Sequence, residues 1–373
     1  MNNSNSSKQY ATPNFFSLCE GQVLTEQKID CYEATKNSFQ QKKDWQRKAE
    51  TIQLDGDDYS TEKISWPEEK IFGACLTHDV DNVAKYCCVM HGRRLRGQIK
   101  SWLKCYERRA LAGIKSSIVA ICDSVIKQGR PDPLFCYERW LEIERLKDVR
   151  STFLFLPHTY EKSHYSDGGY RYDDKILFDQ QQCSVREMIK EIHDRGWEIG
   201  LHASWYSYND PRIFGQQKAE LESVIESEII SSRQHNLHFD IRYTPKILEQ
   251  SGIKIDSSVG FNDKCGFRYG TSVPWQLKPS HSPSSNTVWE LPMCIQDKAI
   301  MNIVAERSFE FAISVAQEII QQAKEEGGVV CLLWHPRTIQ WPDYIIMYES
   351  LIDILQKEGA WFGTMREIYN LRK

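Results

Sequence analysis

ACLTHDVDNV, residues 74–83, joins an apolar run to Thr77-His78-Asp79-Val80-Asp81. With Ile71-Phe72-Gly73 before it, the stretch reads as a buried strand that exits through an imidazole and two carboxylates. Charge is costly to bury unless it is paired, hydrogen-bonded or bound to a metal. Three such groups crowded at one strand end therefore call for a purpose. Side chains two apart on a strand point to the same side. Asp79 and Asp81 should face one place, while His78 points away from it, toward packing.

The same arrangement recurs further along the chain. WEIGL (197–201) runs into His202, and VVCLLW (329–334) runs into His335. Other short apolar runs are STFLFLP (151–157), IKIDSSV (253–259), TVWELPM (287–293) and AWFGT (360–364). Segments with helical spacing, such as 184–195, 306–326 and 343–358, lie between them. This alternation predicts an α/β fold with a mostly parallel sheet and helices outside it. In such folds the C-terminal strand ends share one rim, so Asp79, Asp81, His202 and His335 are expected to converge. The chemistry that suits them is metal-assisted hydrolysis. Two imidazoles and a carboxylate hold a divalent ion, a second carboxylate takes a proton from water, and another His protonates the leaving group. Read singly, each residue also has a plainer role. Asp79 fits a turn or helix cap, and His202 fits a hydrogen-bonded core imidazole.

The remainder of the chain sets limits. It has 373 residues, 41% hydrophobic, with a net charge of -4, which leaves room for a large core and singles out no nucleic-acid partner. No apolar run reaches the length of a membrane span. MNNSNSSKQY lacks the features of a secretory signal, so a cytoplasmic location is expected, with the twelve cysteines as reduced thiols. Residues 1–66 are polar and weakly patterned and read as an N-terminal extension, partly disordered; the domain proper is expected over 67–373. An insertion at about 84–130 breaks the strand–helix rhythm. Within it Arg93, Arg96, Lys100, Lys104 and Arg108 share one helical face, and Leu95, Ile99, Trp102, Leu103 and Tyr106 share the opposite one. Such a helix over 93–108 either touches an anionic membrane surface or phosphates, or packs on the body with a solvated basic face.

The motifs, taken in order, resemble the polysaccharide deacetylase superfamily, the NodB-homology domain of carbohydrate esterase family 4. LTHDVD is similar to its first motif in the D-x-D form of cytoplasmic surface-polysaccharide branches, and STFLFLP to its second strand. GWEIGLHAS resembles its metal-His motif, and SSRQHNLHF lies where its Arg-Pro-Pro-Tyr motif belongs. TPKILEQSGIKIDSSVGFND, VVCLLWHP and GAWFGTMREIY resemble its later elements, the second of these ending in a catalytic His.

The resemblance implies a distorted (β/α) barrel of about seven mostly parallel strands. It also implies a metal-dependent hydrolase that removes acetyl groups from N-acetylated sugars, on a carbohydrate or a carrier-linked glycan, in surface-polysaccharide metabolism. By the same resemblance Asp79 would be the base, Asp81 the metal carboxylate, His202 a metal ligand, Arg233 the residue orienting the base, and His335 the acid. The family's second motif carries a further His four residues on, where this chain has Tyr206. His235 is the substitute third ligand, with His238 as its rival. Tyr206 and Arg268 are expected at the substrate, and zinc is the expected metal. His158 and His164 are expected at the cleft rim. The alternatives are a catalytically silent module of the same fold that binds carbohydrate or a partner, and an amide hydrolase acting on a small non-sugar substrate.

Overall fold

A computed structural model of the chain describes residues 64–105, 108–127, 130–156, 164, 166–277 and 288–372. All of them belong to the unit Leu54–Lys373. The extension expected over 1–66 lies outside the described residues up to residue 63, and so does His158.

The strand read from ACLTHDV is β1, Gly73–Val80, and every one of its residues is buried. After it come β2 (Ser151–Phe155), β3 (Lys175–Phe178), β4 (Gln181–Ser184), β5 (Glu198–Ala203) and β6 (Ser231–Gln234). β7 (Ile255–Asp256), β8 (Trp275–Leu277), β9 (Val288–Glu290), β10 (Met293–Gln296), β11 (Val329–Leu333) and β12 (Trp361–Phe362) complete the set. One curled sheet runs β10-β11-β1-β2-β5-β6-β7-β9-β8, with β12 also on β1, and β3–β4 form a separate hairpin. Its pairings are parallel except β8–β9. The result is a half-closed barrel with ten strands in its sheet, against the seven or so expected. The surplus is β6, β8 and β10, pieces of three or four residues, too short to show a hydrophobic period.

Parallel pairing places the strand exits on one rim. Thr77 pairs with Leu333 and His202 with Arg233. The chain beyond Thr77 therefore runs beside the His335 exit, and His202 sits across from the residue two before His235. Behind the sheet, Phe153, Phe155, Trp140, Ile189, Phe214, Ile320 and Leu351 belong to a large buried core.

The insertion is helical: α1 (Cys88–Cys105) packs on α2 (Arg108–Ile126), and α3 (Tyr137–Leu146) leads into β2. On α1, Arg96 and Lys100 are exposed, but Arg93 grips Asp174, with Nη2 donating to Oδ1 at 2.8 Å. On the other face Ile99 and Leu103 are exposed and Trp102 is half-buried. Tyr106 and the side chains of Lys104 and Arg108 lie outside the described residues. Among the described residues no helix is long and apolar enough to cross a membrane. The cysteines described are free thiols, with Cys75, Cys265, Cys294 and Cys331 buried.

Candidate active site

Asp79 and Asp81 leave β1 on the inner side of the sheet and meet different partners. Asp79 Oδ1 accepts a hydrogen bond from Arg233 Nη1 at 2.8 Å, and its Oδ2 lies 3.7 Å from His202 Nε2. Arg233, on β6, is wholly buried. Its other donors go to Thr77 Oγ1 (2.8 Å), the Ser257 carbonyl (2.7 Å) and Ser257 Oγ (2.9 Å). With its rigid fork engaged on several sides, the guanidinium is locked against Asp79. Burial opposes the Asp79 charge, but Arg233, with His202 and His335, outweighs it and holds the carboxyl below its ordinary range.

Asp81 divides its two oxygens. Oδ2 accepts from Arg337 Nη1 at 2.6 Å and lies 3.6 Å from His335 Nε2. Oδ1 is buried and has no hydrogen-bond partner among the described residues. It faces His202 Nε2 at 3.4 Å and His235 Nε2 at 3.7 Å. Burial again opposes the charge, and His202, His335, His235 and Arg337 together hold the Asp81 carboxyl well below its ordinary range.

All three imidazoles are anchored through Nδ1. His202 Nδ1 donates to the Arg233 carbonyl (3.0 Å), His235 Nδ1 to Asp167 Oδ1 (2.9 Å), and His335 Nδ1 to Asp297 Oδ2 (2.9 Å). A carbonyl or carboxylate at Nδ1 fixes the tautomer that leaves Nε2 with its lone pair turned inward. The Asn236 amide, 3.3 Å from His235 Nε2, agrees with this, since its nitrogen can only donate. The turn that carries His235 is strained: Asn236 and Leu237 have φ of 56° and 53°, conformations uncommon for residues with side chains.

Asp81 Oδ1, His202 Nε2 and His235 Nε2 all lie within 4.8 Å of one another. Ligand atoms of a tetrahedral ion with bonds of about 2.0–2.1 Å stand about 3.3–3.4 Å apart. The Asp81 contacts at 3.4 and 3.7 Å are close to that spacing, and an orphaned buried carboxylate oxygen is the group a cation would satisfy. The donor set fits a divalent metal.

Tyr206, at the position where the resemblance calls for an imidazole, packs edge-on against His164 (5.8 Å between centroids). The second imidazole at Asp81 comes instead from the neighbouring strand exit, as His235. Its rival His238 turns to the Trp205 carbonyl (3.0 Å) and stacks on the Trp205 ring. His164 also stacks against Trp205, with 4.2 Å between ring centroids. Arg268 donates to the Gly260 carbonyl at 3.2 Å and lies 5.9 Å from the Phe261 ring. These contacts of Tyr206 and Arg268 are to loops around the cleft, not to Asp81, His202 or His235.

Three residues at the site were not anticipated from the sequence. Asp167 orients His235 and also accepts the His164 and Trp205 amides. Asp297, immediately after β10, receives both the backbone N–H and the Nδ1–H of His335. Burial works against the charge of each, and the adjacent imidazole keeps each carboxyl below its ordinary range. Arg337 follows His335-Pro336 and holds Asp81. The acid that ends MCIQD was the one available signal for Asp297, since it repeats the pattern of an apolar strand leaving through a carboxylate.

No family model matches the sequence, and no curated protein matches it. Solved structures do match its fold. A protein from Mycobacterium smegmatis named as a polysaccharide deacetylase superposes with a TM-score of 0.51 at 16% identity, over 83% of this chain and 92% of its own. One from Pseudomonas aeruginosa PAO1, likewise named, gives 0.51 at 14% identity, over 83% and 93%. An allantoinase gives 0.52 at 13% identity over the same shares. The chain has the polysaccharide deacetylase fold.

Proposed function

We propose that the protein is a metal-dependent hydrolase that removes the acetyl group from an N-acetylated sugar, free or carrier-linked, in surface-polysaccharide metabolism. The observation that carries this reading is the convergence of Asp81 Oδ1, His202 Nε2 and His235 Nε2 on one point, with Asp79 and His335 beside it. Asp81, His202 and His235 would hold the ion, for which zinc suits two imidazoles and a carboxylate. A divalent cation there would polarise the acyl carbonyl and make water acidic enough to attack near neutral pH. The chain's own groups supply the proton transfers. Asp79, ionised and fixed by Arg233, presents Oδ2 to take the proton of the attacking water. His335, braced by Asp297 through Nδ1, turns Nε2 inward to relay a proton to the departing sugar amine. Tyr206 and Arg268 are assigned to the sugar at the cleft rim.

The test uses the purified full chain. Metal content is measured by mass spectrometry, and acetate release is followed from N-acetylated oligosaccharides and nucleotide-linked N-acetyl sugars. About one divalent ion per chain is expected, with acetate release that stops on chelation and returns with zinc. Undiminished release from metal-free protein overturns the metal role. A metal-loaded protein inert toward every amide offered overturns the activity.

A further inference from the structure

Arg94 has no part in the chemistry above, yet its helix passes close to the exit of β1. It stands on α1, in the insertion that interrupts the strand–helix alternation. Its Nε is buried without a hydrogen-bond partner among the described residues. Two glycines allow the approach. A Cβ on Gly168 would stand 2.8 Å from the Asp81 carbonyl oxygen. One on Gly169 would stand 2.5 Å from the Met90 carbonyl oxygen and 3.5 Å from Arg94 Cβ. The Gly168-Gly169 pair thus lies between the end of β1 and α1, touching both. Burial depresses the Arg94 guanidinium below its usual value, and the charges of Asp81, Arg337 and Asp167 all act on it.

Arg337 is the second cation. It donates one N–H to Asp81 Oδ2, and 35% of its side chain is exposed. A guanidinium has five N–H donors, so Arg337 has others to offer. The carboxylates of the site are otherwise engaged: Asp79 with Arg233, Asp167 with His235 and Asp297 with His335. An ion at Asp81 would compete for the remaining one and leave Arg94 and Arg337 with positive charge in excess. A buried cation without a partner is expensive, and an anion supplies charge-assisted hydrogen bonds to it.

We infer that Arg94 and Arg337 together read an anionic group, a carboxylate or a phosphate, carried by the substrate close to its scissile amide. This presupposes the amide hydrolase proposed above and narrows its substrate to acidic N-acylated sugars. Arg337 and the ion share one carboxylate, which puts the acid on a sugar position near the amide. The insertion then serves as a specificity element that brings Arg94 to a cleft the barrel alone would leave less cationic.

The test is calorimetric binding to the full chain, both zinc-loaded and metal-free. The probes are N-acetylglucosamine, N-acetylglucosamine 1-phosphate, N-acetylmuramic acid and inorganic phosphate. One of the two acidic sugars should bind at least about ten-fold tighter than the neutral one, and the winner identifies phosphate or carboxylate. Arg94→Gln should abolish that advantage without changing the affinity for the neutral sugar, and Arg94→Lys should retain part of it. Equal affinity for the three sugars, or an advantage that survives Arg94→Gln, overturns the inference. Should no sugar bind, phosphate decides: binding that depends on Arg94 supports the anion site, and its absence overturns it. Thermal unfolding checks that the variants fold, and the comparison among probes on the unaltered protein needs no variant. An Arg94-dependent anion advantage without acetate release would leave the anion site standing and the hydrolase fallen. Acetate release from neutral and acidic sugars alike, with no binding advantage, would do the reverse.

Discussion

His78 and Asp79 are adjacent on β1, both buried, and they face opposite sides of the sheet. Behind it, His78 Nδ1 meets the Trp334 carbonyl (2.8 Å) and its Nε2 meets Glu144 Oε1 (2.7 Å). Tyr348 donates to the same Glu144 oxygen (2.8 Å) and Trp197 to the other (2.6 Å). Both ring nitrogens and both carboxylate oxygens have partners there, and the cluster is sealed among Trp140, Phe153 and Tyr348 rings. In front, Asp79 is paired, but two residues on, Asp81 keeps an oxygen with no hydrogen-bond partner among the described residues. Both clusters combine imidazole with carboxylate. The one that is complete holds the sheet to its helices, and the one that is incomplete has room for an ion. A polar network short by one partner is expensive to keep, so the deficit points to what the cluster is for.

The sharpest way to break this contrast is to exchange the expected consequences. Asp79→Asn should leave the ion bound and the fold intact while turnover falls about 10²–10⁴-fold, the usual worth of a general base. Glu144→Ala should do the opposite. It leaves His78, Trp197 and Tyr348 without their acceptor, and breaking a buried pair of this kind costs about 3–5 kcal/mol of stability. Urea unfolding together with metal content per folded chain measures both. A Glu144 variant that keeps its stability and loses its metal would show that the two faces of β1 are not divided in this way.

A smaller effect separates the faces by pH. Burial alone would lower the His202 pKa, but Asp79 and Asp81 outweigh it and raise it above the ordinary 6.5. A raised folded-state pKa gives stability that is fully present below the unfolded value and is lost as pH rises through the folded one. Metal-free protein should therefore lose thermal stability as pH climbs through the His202 titration. Zinc requires the neutral imidazole, so its affinity should rise over the same window and reverse the loss. Melting curves with and without chelator, at about pH 6 to 9, check this, and His202→Gln should flatten the chelated series. A chelated protein equally stable across the range would remove the carboxylates' hold on His202.

Much of this site could be read from the sequence because its groups follow buried strands. Asp79, Asp81, His202 and His335 each end an apolar run, and parallel pairing turns that one-dimensional pattern into a shared rim. His235 was legible only as the nearest imidazole after Arg233, where the spacing also allowed His238; the strained turn at Asn236 and Leu237 separates the two. Asp167 and Arg94 left no such trace. They lie in the irregular YSDGGY loop and in an inserted helix, and what makes them part of the site is tertiary approach across Gly168-Gly169. Glu144 was equally silent. An acid on an amphipathic helix reads as solvated surface until the sheet behind it supplies an imidazole, an indole and a phenol. The short strands β6, β8 and β10 were missed because three or four residues carry no period.

Glu290 limits how far an unsatisfied oxygen can be taken as a mark of function. It is wholly buried; Oε1 accepts the Val259 N–H at 2.7 Å, and Oε2 has no partner among the described residues, the same deficit that Asp81 shows. The surroundings differ. Asp81 sits among imidazoles and a guanidinium that hold it ionised, whereas burial first, and then the neighbouring charge of Asp256, push the Glu290 pKa well above its ordinary value. Glu290 is thus a neutral acid in the range where Asp81 is a carboxylate, and a neutral hydroxyl without a partner costs far less than a charge. The sign of its linkage follows: stability is fully present below the unfolded pKa and declines as pH rises through the folded one. Glu290→Gln keeps the shape and the Val259 acceptor and cannot ionise. It should leave metal content and turnover unchanged and match the unaltered protein's stability in mild acid. Its advantage should then widen as pH rises, as read from melting temperatures over the same series. A variant that instead loses its ion would make Glu290 part of the site and void the distinction between a charged deficit and a neutral one.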